Sequence, residues 1–417
     1  MVEMKESGIE WIGKIPDHWK VDMIKYHLKR KEPRNPGNKE VLSVYRDYGV
    51  IPKNSRADNH NVTSEDTSKY KYVKKGNLVI NKMKAWQGSL AVSDFEGIVS
   101  PAYFIYEFID NEFNKKYFHY LIRNCYKDEF RRLSGGIREG QWDLSPDEFA
   151  KTLILIPPIE EQIKIVKYIE EKNKDIDVLY SDIEKQIETL EEYKKSIITE
   201  AVTKGLDPDV EMEDSGIEWL GNIPNNWKLT RIKYVLDERK EYSTDGKEEP
   251  LSMSQKYGLI PTADMDLIPH EASSLVGNKK VYPNDLVFNK LKAHLGVFSV
   301  STYTGIVSPD YAVYYADDYY TAKFLEYLFK TNKYITEFKK RITGVGQGLS
   351  RLYTSDLFSI YCAIPSTLEM KRIVEIINEK NKSIFEVIQK KQQQLEILDQ
   401  YKKSLIYEYV TGKKEVK

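Results

Sequence analysis

Two short segments of this chain place amides and cations beside an aromatic or imidazole ring. Residues 81–87 read Asn-Lys-Met-Lys-Ala-Trp-Gln, and residues 289–294 read Asn-Lys-Leu-Lys-Ala-His. Lysine donates to the acceptor atoms of guanine, asparagine and glutamine pair with adenine, and lysine also contacts phosphates. This chemistry favours the recognition of nucleic acid.

Gly-containing loops further along each half carry more groups of the same kind. For any single residue, a solvated loop side chain remains the alternative to a DNA contact. The candidate DNA-contacting residues are Asn81, Lys82, Lys84, Trp86, Gln87, Arg138 and Gln141 in the first half, and Asn289, Lys290, Lys292, His294, Arg341, Gln347 and Arg351 in the second.

Signatures of catalysis are weak. Gly8–Lys14 matches the start of a phosphate-binding loop, but Ile15 follows where Ser or Thr should bind magnesium, and a second copy has Asn222 in place of the lysine. A packed segment anchored by Trp11 and Trp219 is the alternative. The six histidines lack the spacing of metal ligands. We therefore predict no catalytic residue and no metal site.

The whole sequence is one unit written twice. Ser-Gly-Ile-Glu-Trp occurs at residues 7–11 and again at 215–219, an offset of 208 residues in a chain of 417. Gly-Ile-Val-Ser-Pro at 97–101 recurs at 305–309 with the same offset. A duplicated chain can imitate a two-fold dimer while its two copies diverge, which suits a partner with two similar but unequal halves.

Charge is distributed unevenly, although the net charge is only −1. Residues 20–84 hold 16 Lys and Arg against 7 Asp and Glu, whereas residues 159–200 hold 7 against 12. A basic globular part beside an acidic helical part is typical of a nucleic-acid reader with a separate assembly surface. The equivalent second segment, 228–292, has 11 Lys and Arg against 10 Asp and Glu, so its charge gives little support to this interpretation.

The composition is that of a soluble protein from a reducing compartment. Only Cys125 and Cys362 are present, and the repeat does not align them. The first six residues have no apolar signal core, and the apolar run Leu153–Ile156 is too short to cross a bilayer. We expect a cytoplasmic location without membrane association.

Each half begins with a region of mixed secondary structure. In the first half, alternating runs predict strands at Val41–Tyr45, Asn77–Ile80, Ser89–Val92 and Tyr103–Phe108, and residues 113–133 have a helical apolar face.

A heptad pattern follows each mixed region. Ile169, Ile176, Ile183, Leu190 and Ile197 recur every seven residues among Glu and Lys. Such a pattern predicts a long helix that pairs with another, and polar seam residues would fix its register. The residues predicted to pair the two helices are Asn173, Ile176, Ile183, Leu190, Lys194, Asn381, Ile384, Leu398 and Lys402.

The predicted fold is therefore α+β and internally duplicated. Two mixed domains, residues 1–158 and 205–366, are separated by two long helices, residues 159–204 and 367–417. We expect the helices to form an antiparallel coiled coil with pseudo-two-fold symmetry.

The chain resembles the DNA-specificity subunit of type I restriction–modification systems. The resemblance rests on the duplicated openings at Ser7–Trp19 and Ser215–Trp227, and on Ile-Pro-Pro-Ile-Glu-Glu-Gln at 156–162. The second helix entry, Ile364–Met370, departs from the pattern because it lacks the second Pro and the Gln.

This resemblance implies two target-recognition domains that each read one half of a split double-stranded DNA site. The helices would act as a spacer and as a platform for two modification subunits. The chain would be non-catalytic and bind no cofactor of its own. Its partners would use S-adenosylmethionine for methyl transfer, and restriction subunits would use ATP and Mg to cut unmodified DNA.

Other interpretations remain open at this point. The chain could serve a methylation-only or fused restriction system, or it could be a coiled-coil scaffold without a DNA role. A cryptic enzyme is a third alternative. Salt-dependent binding to duplex DNA would separate the scaffold from the DNA reader.

Overall fold

The structure, a computed structural model, divides the chain into two compact units. The first contains Met1–Glu184 together with Gln392–Lys417, and the second contains Lys185–Lys391. The residues that the structure describes are 3–37, 39–46, 48–55, 66–136, 142–254, 257–265, 274–342 and 351–416.

The described residues contain both short and very long helices. The short ones lie inside the globular parts of each unit, and the two long ones follow them. The helices are α1 (Lys115–Cys125), α2 (Lys127–Arg132), α3 (Pro146–Lys151), α4 (Ile159–Lys204), α5 (Tyr319–Phe329), α6 (Asn332–Arg341), α7 (Thr354–Ser359) and α8 (Thr367–Val410).

The strands of the two units follow one another in the same order. Those of the first unit are β1 (Met4–Glu6), β2 (Lys14–Pro16), β3 (Lys20–Met23), β4 (Leu28–Lys31), β5 (Leu42–Tyr45), β6 (Gly49–Pro52), β7 (Lys71–Val73), β8 (Leu78–Asn81), β9 (Leu90–Val92), β10 (Gly97–Val99), β11 (Tyr103–Phe108), β12 (Ser134–Gly135), β13 (Asp143–Leu144) and β14 (Leu153–Ile156). Those of the second unit are β15 (Met212–Asp214), β16 (Asn222–Pro224), β17 (Lys228–Arg231), β18 (Asp237–Glu238), β19 (Leu251–Ser254), β20 (Gly258–Pro261), β21 (Lys279–Val281), β22 (Leu286–Asn289), β23 (Phe298–Val300), β24 (Gly305–Val307), β25 (Tyr311–Tyr315) and β26 (Tyr361–Ile364).

An antiparallel four-stranded sheet organises each globular part. Its order is β4-β11-β8-β9 in the first unit and β18-β25-β22-β23 in the second. The apolar runs Leu78–Ile80 and Leu286–Phe288 are fully buried, because their sheets have apolar neighbours on both faces. The predicted α+β fold with internal duplication is confirmed.

The repeated Gly-Ile-Val-Ser-Pro motif has a steric origin. A Cβ atom at Gly97 would lie 2.5 Å from the carbonyl oxygen of Glu40 and 2.7 Å from the side chain of Leu42. Gly305 meets the equivalent groups, Glu249 and Leu251, just as closely. Glycine is therefore required in both copies because neighbouring backbone approaches it.

The duplicated opening anchors each globular part to the start of a long helix. The indole Nε1 of Trp19 donates to the Glu161 carboxylate at 2.9 Å, and that of Trp227 donates to Glu369 at 3.1 Å. The first tryptophan of the opening has a packing role too, since Trp11 donates to a backbone carbonyl at 3.0 Å. These contacts account for the motif without a phosphate-binding loop.

Long-helix segments run antiparallel inside each unit. In the first unit, the rings of Tyr168 and Tyr409 lie 4.5 Å apart, and Lys402 Nζ lies 2.7 Å from Asp177 Oδ1. In the second unit, Lys391 Nζ donates to Gln186 Oε1. In the first unit the residue number rises along α4 as it falls along α8, which is the sense expected for an antiparallel pair.

Helix ends also complete the cores of the globular parts. Leu405, Ile406 and Val410 of α8 are buried in the core of the first unit, and Ala201 and Val202 of α4 are buried in that of the second. The helix α8 ends at Val410, before Gly412, which adopts a positive φ of 69°. The division into four sequence segments stays a prediction.

The structure also shows where the two cysteines lie and how apolar the helices are. Cys125 and Cys362 are both buried and unoxidised, and burial raises the pKa of each thiol, to about 12 for Cys362. Within the described ranges, neither long helix nor any shorter one is apolar enough over a sufficient length to cross a membrane.

The Pro-Pro-Ile-Glu-Glu-Gln entry of α4 ends in a buried amide with all its groups paired. Gln162 is fully buried, and its Oε1 accepts from the backbone N–H of Asn114 at 2.8 Å. Its Nε2 donates to the carbonyls of Glu112 and Pro157, both at 2.8 Å. The second unit has Met370 at this position, also buried, so the two units close the same junction with different chemistry.

We predict that Gln162→Met destabilises the first unit despite its natural counterpart in the second. The backbone groups of Asn114, Glu112 and Pro157 would lose their partner. At roughly 1 kcal/mol each, the lower end of the range for a buried unpaired group, the three together should cost about 3 kcal/mol. Urea unfolding followed by tryptophan fluorescence measures it. The control Met370→Leu should cost less than about 1.5 kcal/mol. Equal effects of the two changes would contradict a polar junction.

Candidate nucleic-acid interface

The two predicted recognition segments fold into the same loop. In each, a strand ends at an asparagine, and the loop turns through a short 3-10 helix, Ala85–Gln87 or Ala293–Leu295. A glycine with positive φ then closes it, at 90° for Gly88 and 77° for Gly296. Residues with a Cβ rarely adopt this backbone conformation, so the two glycines fix where the loop returns to the sheet.

The asparagines at the strand ends hold the loop together. Asn81 Oδ1 accepts from the backbone N–H of Met83 at 3.2 Å, and Asn289 Oδ1 accepts from Leu291 at 3.1 Å. Each asparagine side chain also lies beside a tyrosine hydroxyl on the adjoining strand, that of Tyr103 or Tyr311. Both asparagines therefore have a structural role.

A second connection ties the loop to a later segment of its own unit. The backbone N–H of Leu144 donates to the carbonyl of Lys82 at 3.0 Å, and that of Leu352 donates to Lys290 at 3.0 Å. In both units this brings the residue before the leucine next to the loop lysine. Residues 143 and 351 are 208 apart and thus equivalent.

The side chains on this shared scaffold differ in charge. In the first unit, Lys82 Nζ lies 3.0 Å from the carboxylate of Asp143. In the second, Arg351 occupies the position of Asp143 and pairs with Asp310 at 2.8 Å. Lys290 then donates to the carbonyl of Pro309 at 3.2 Å instead of to a carboxylate. The surroundings of the two loop lysines are therefore of opposite character.

Cationic neighbours and burial act on Lys290 in the same direction. Burial lowers the pKa of its ammonium group, and Lys279 and Arg351 lower it further, whereas Asp310 and Glu238 oppose this shift. A negatively charged ligand at this point would relieve the repulsion between Lys290 and Arg351.

The first unit instead presents an aromatic pair. The rings of Trp86 and Trp142 lie 5.6 Å apart, and Trp86 Nε1 donates to the carbonyl of Met83 at 3.0 Å. Gln87 accepts from Arg46 Nη2 at 3.1 Å. Lys84 is exposed and has no ion-pair partner within 4 Å in the described part of the chain, and the same holds for Lys292.

The remaining predicted contacts fall into two groups. Arg341, at the end of α6, is tied to Glu337 at 2.8 Å and to Ser359 at 2.8 Å, which anchors it inside its own unit. Outside the described residues lie Arg138, Gln141 and Gln347.

Sequence reasoning missed Trp142, Asp143 and Asp310. Their partners are distant along the chain, so no local pattern connects them. The 208-residue alignment carries the one available signal, because it pairs Asp143 with Arg351, a reversal of charge beside a repeated lysine.

The residues predicted to pair the helices differ in burial and in the groups they contact. Ile176 and Ile384 are buried, and Ile183, Leu190 and Leu398 are half-buried. Asn173 and Asn381 lie beside the hydroxyls of Tyr120 and Tyr327 of their own globular parts, and the Tyr327 hydroxyl donates to Asn378 Oδ1 at 2.6 Å. Lys402 pairs with Asp177, and Lys194 lines a cavity of the second unit. Their roles in pairing stay a prediction.

Comparison with known proteins connects this geometry to one family. Residues 24–189 match the type I restriction modification DNA specificity domain. The specificity subunit of the type I restriction enzyme MjaVIII of Methanocaldococcus jannaschii is 24% identical, over 97% of this chain and 95% of that relative. The putative MjaX specificity subunit of the same organism is 23% identical, over 97% and 96%. Residues 24–189 therefore carry a type I DNA-specificity domain, and nearly the whole chain is similar to type I specificity subunits. The resemblance drawn from the duplicated openings is thus confirmed.

Solved structures share the fold of this chain. One chain from a structure of a type I restriction–modification system, described by its complex assembly and conformational transition, has a TM-score of 0.66 at 14% identity and covers 95% of this chain and 98% of its own. The HsdS subunit from Thermoanaerobacter tengcongensis has a TM-score of 0.53 at 16% identity, over 98% and 100%.

Within the described ranges of this chain, no group of three or more His, Cys, Asp and Glu side chains is placed to hold a metal ion. What the interface offers is hydrogen-bond donors, cations and aromatic rings. This arrangement can recognise a ligand by shape and charge.

A buried carboxylate holds the end of β23, the strand that follows the recognition loop of the second unit. Glu326 is 3% exposed and accepts from the backbone N–H of Val300 at 3.0 Å. Its oxygens also accept from Lys323 at 2.7 Å and Lys330 at 2.6 Å. Burial disfavours the charged carboxylate, but the two ammonium groups outweigh burial and lower the pKa of Glu326 to about 2. The first unit has Phe118 at this position.

We predict that Glu326→Gln lowers the free energy of unfolding of this chain at pH 7 by roughly 2–3 kcal/mol. Removing one partner of a buried pair leaves uncompensated charge, and the partial exposure of Lys330 reduces the loss.

The effect should depend on pH in one direction. Because the folded-state pKa of Glu326 is lowered, its contribution is complete above the usual value of 4.5 and is lost as the pH falls toward about 2. Urea unfolding at pH 7 and pH 3 should therefore show a smaller difference between the variant and the unmodified chain at pH 3. Glu191→Gln, a half-exposed control, should change stability by less than about 0.5 kcal/mol. A pH-independent difference would contradict the ionised network.

Proposed function

We propose that this chain reads a bipartite duplex DNA target, and that each unit reads one half-site with the loop that follows its central strand. The observation that carries the proposal is the pair of loops at 81–88 and 289–296. Their backbone hydrogen bonds and closing glycines coincide, while the exposed side chains differ. Selection for two different ligand sequences on one scaffold would produce this pattern, because base contacts specify and the scaffold only positions them.

The two loops suit different base edges. Arg351 is paired with Asp310, so Lys290 is the cation left to pair with the O6 and N7 acceptors of guanine. In the first unit, Asp143 neutralises Lys82, and Gln87 with Trp86 is left to make polar and apolar contacts. Gln is a partner for adenine, and an indole can pack on the methyl group of thymine. The half-sites should therefore differ in base composition at the contacted positions.

The chain would work as one component of a larger enzyme. Two modification subunits that use S-adenosylmethionine would bind its helical segments, and restriction subunits that use ATP and Mg would join them. The chain itself would supply sequence choice and no catalytic group.

The separation of the two readers can be tested by exchange. Replacing residues 20–150 with the equivalent segment of a relative should change one half of the methylated target and leave the other half as it was. The physical reason is that all described contacts of the first loop come from its own unit. Methylated-base sequencing of host DNA measures the outcome. The reciprocal control replaces residues 228–358. If either exchange altered both halves together, the two-reader assignment would fail.

A paired comparison of lysines tests the loop itself. Lys84→Ala should flatten the plot of log binding constant against log salt concentration by about 0.9, as expected for one lost phosphate contact. Lys82→Ala should change the slope less, because Asp143 already compensates its charge. Binding of a target duplex is measured between 50 and 200 mM salt as a chosen range. If Lys84→Ala and the unmodified chain had equal salt slopes, Lys84 would make no phosphate contact, and the assignment of this loop to DNA binding would be contradicted.

A further inference from the structure

The second unit contains a cavity of about 760 Å³ behind its recognition loop. It lies among the second half of α4, the helices α5 and α6, and the 3-10 turn Ala293–Leu295, and all of its walls belong to this one unit. His294 and Leu295 of the recognition loop form part of the wall.

Positive charge dominates the lining. Five lysines and two glutamates face the cavity, which gives a formal balance of five minus two, or +3. The lysines are Lys194, Lys195, Lys323, Lys330 and Lys339. Such a balance in a concave site favours an anion more strongly than the same charges would on a flat surface.

The lysines divide into a fixed pair and an available set. Glu326 holds Lys323 and Lys330 in place at 2.7 and 2.6 Å. By contrast, Lys194, Lys195 and Lys339 have no carboxylate within 4 Å in the described part of the chain. One nitrogen of the loop imidazole, His294 Nδ1, is buried without a hydrogen-bond partner there. The wall therefore offers donors that a ligand can engage.

The first unit has the same helix motif without this site. Tyr-Lys-Lys-Ser at 193–196 recurs at 401–404. There Lys402 is paired with Asp177 at 2.7 Å, and Lys403 is paired with Asp399 at 2.5 Å. The positions of Glu326 and Lys330 are taken by Phe118 and Ile122, both buried apolar residues. The cavity charge is thus particular to the second copy.

We propose that this cavity holds a phosphodiester of the DNA backbone beside the second half-site. The inference rests on the proposed DNA-reading function and assigns Lys194, Lys195 and Lys339 as a phosphate clamp. Lysine ammonium groups act as compact point charges, which suits a phosphate approached from several directions. The shared wall formed by His294 and Leu295 couples the clamp to the recognition loop, so that gripping the backbone would fix the loop against the bases.

Neighbouring and equivalent lysines provide matched controls. Lys195→Ala and Lys339→Ala each remove a clamp charge. Lys403→Ala removes the equivalent of Lys195, and Lys340→Ala removes a neighbour of Lys339 that pairs with Glu337 at 3.7 Å. All four side chains are exposed, so folding should be preserved and thermal unfolding can verify it.

Binding of the full chain to its mapped target duplex is then measured at 50–200 mM salt. Each clamp variant should lower the salt slope by about 0.9, equivalent to about a 3.5-fold smaller loss of affinity over that range, and the controls should leave it unchanged. A neutral methylphosphonate placed beside the second half-site should weaken the unmodified chain and have little further effect on the Lys195→Ala, Lys339→Ala double variant.

The outcomes separate this inference from the proposed function. If the clamp variants keep the slope of their controls while the chain still selects its target, the clamp is wrong and the DNA reader stands. If tripolyphosphate binds the cavity lysines but the methylphosphonate cycle shows no coupling, the cavity is a site for free phosphates and the inference is overturned. If the chain selects no duplex at all, the proposed function itself fails.

Discussion

The structure depends on burial of long-helix ends in the cores of its globular parts. In the first unit, Leu405, Ile406 and Val410 of α8 enter the same core as Ile165, Val166 and Ile169 of α4. Indole–carboxylate hydrogen bonds, from Trp19 to Glu161 and from Trp227 to Glu369, then fix the direction in which each helix leaves its globular part. Because a closely packed core tolerates little displacement, the recognition loop and the helix segments of one unit move as one body. Under the proposed function, this coupling would pass the sequence choice of a loop to subunits bound on the helices.

The two units share one backbone scaffold, and the side chains on it have diverged between the two copies. The conserved part is what the backbone demands: glycines where a Cβ would collide, asparagines that close the loop, and carbonyl contacts from residues 82 and 290. The changed part lies where side chains face outward or line cavities. At one pair of equivalent positions the first unit has the anionic Asp143 and the second the cationic Arg351. At another pair the first unit has the apolar Phe118 and the second the anionic Glu326. A two-copy chain can carry such differences, whereas a dimer of identical chains cannot.

Much of this architecture was predictable because it is local or repeated. Alternating runs predicted the strands β5, β8, β9 and β11 nearly to the residue, and the heptads predicted both long helices. The predicted helix at 113–133 divides into α1 and α2 near Tyr126, a buried residue with a non-helical backbone, and no sequence pattern marked that break. The ion pairs that distinguish the loops were not predictable, since Lys82 and Asp143 meet only through the tertiary fold. The roles of Asn173 and Asn381 show the same limit: a heptad position indicates a face of the helix, while the tyrosines beside them come from elsewhere in the unit.

The way in which the first unit closes also sets an order of synthesis. Its core is unfinished until Val410 emerges, and the Tyr117 hydroxyl donates at 2.8 Å to a carbonyl 293 residues further on. At about 5–20 residues per second, the ribosome needs roughly 15–60 s to cover that interval. The second unit is a single continuous stretch, Lys185–Lys391, and needs no residue from either end of the chain. The later half of the protein can thus fold first, while the earlier half keeps apolar surface exposed, a condition that favours aggregation.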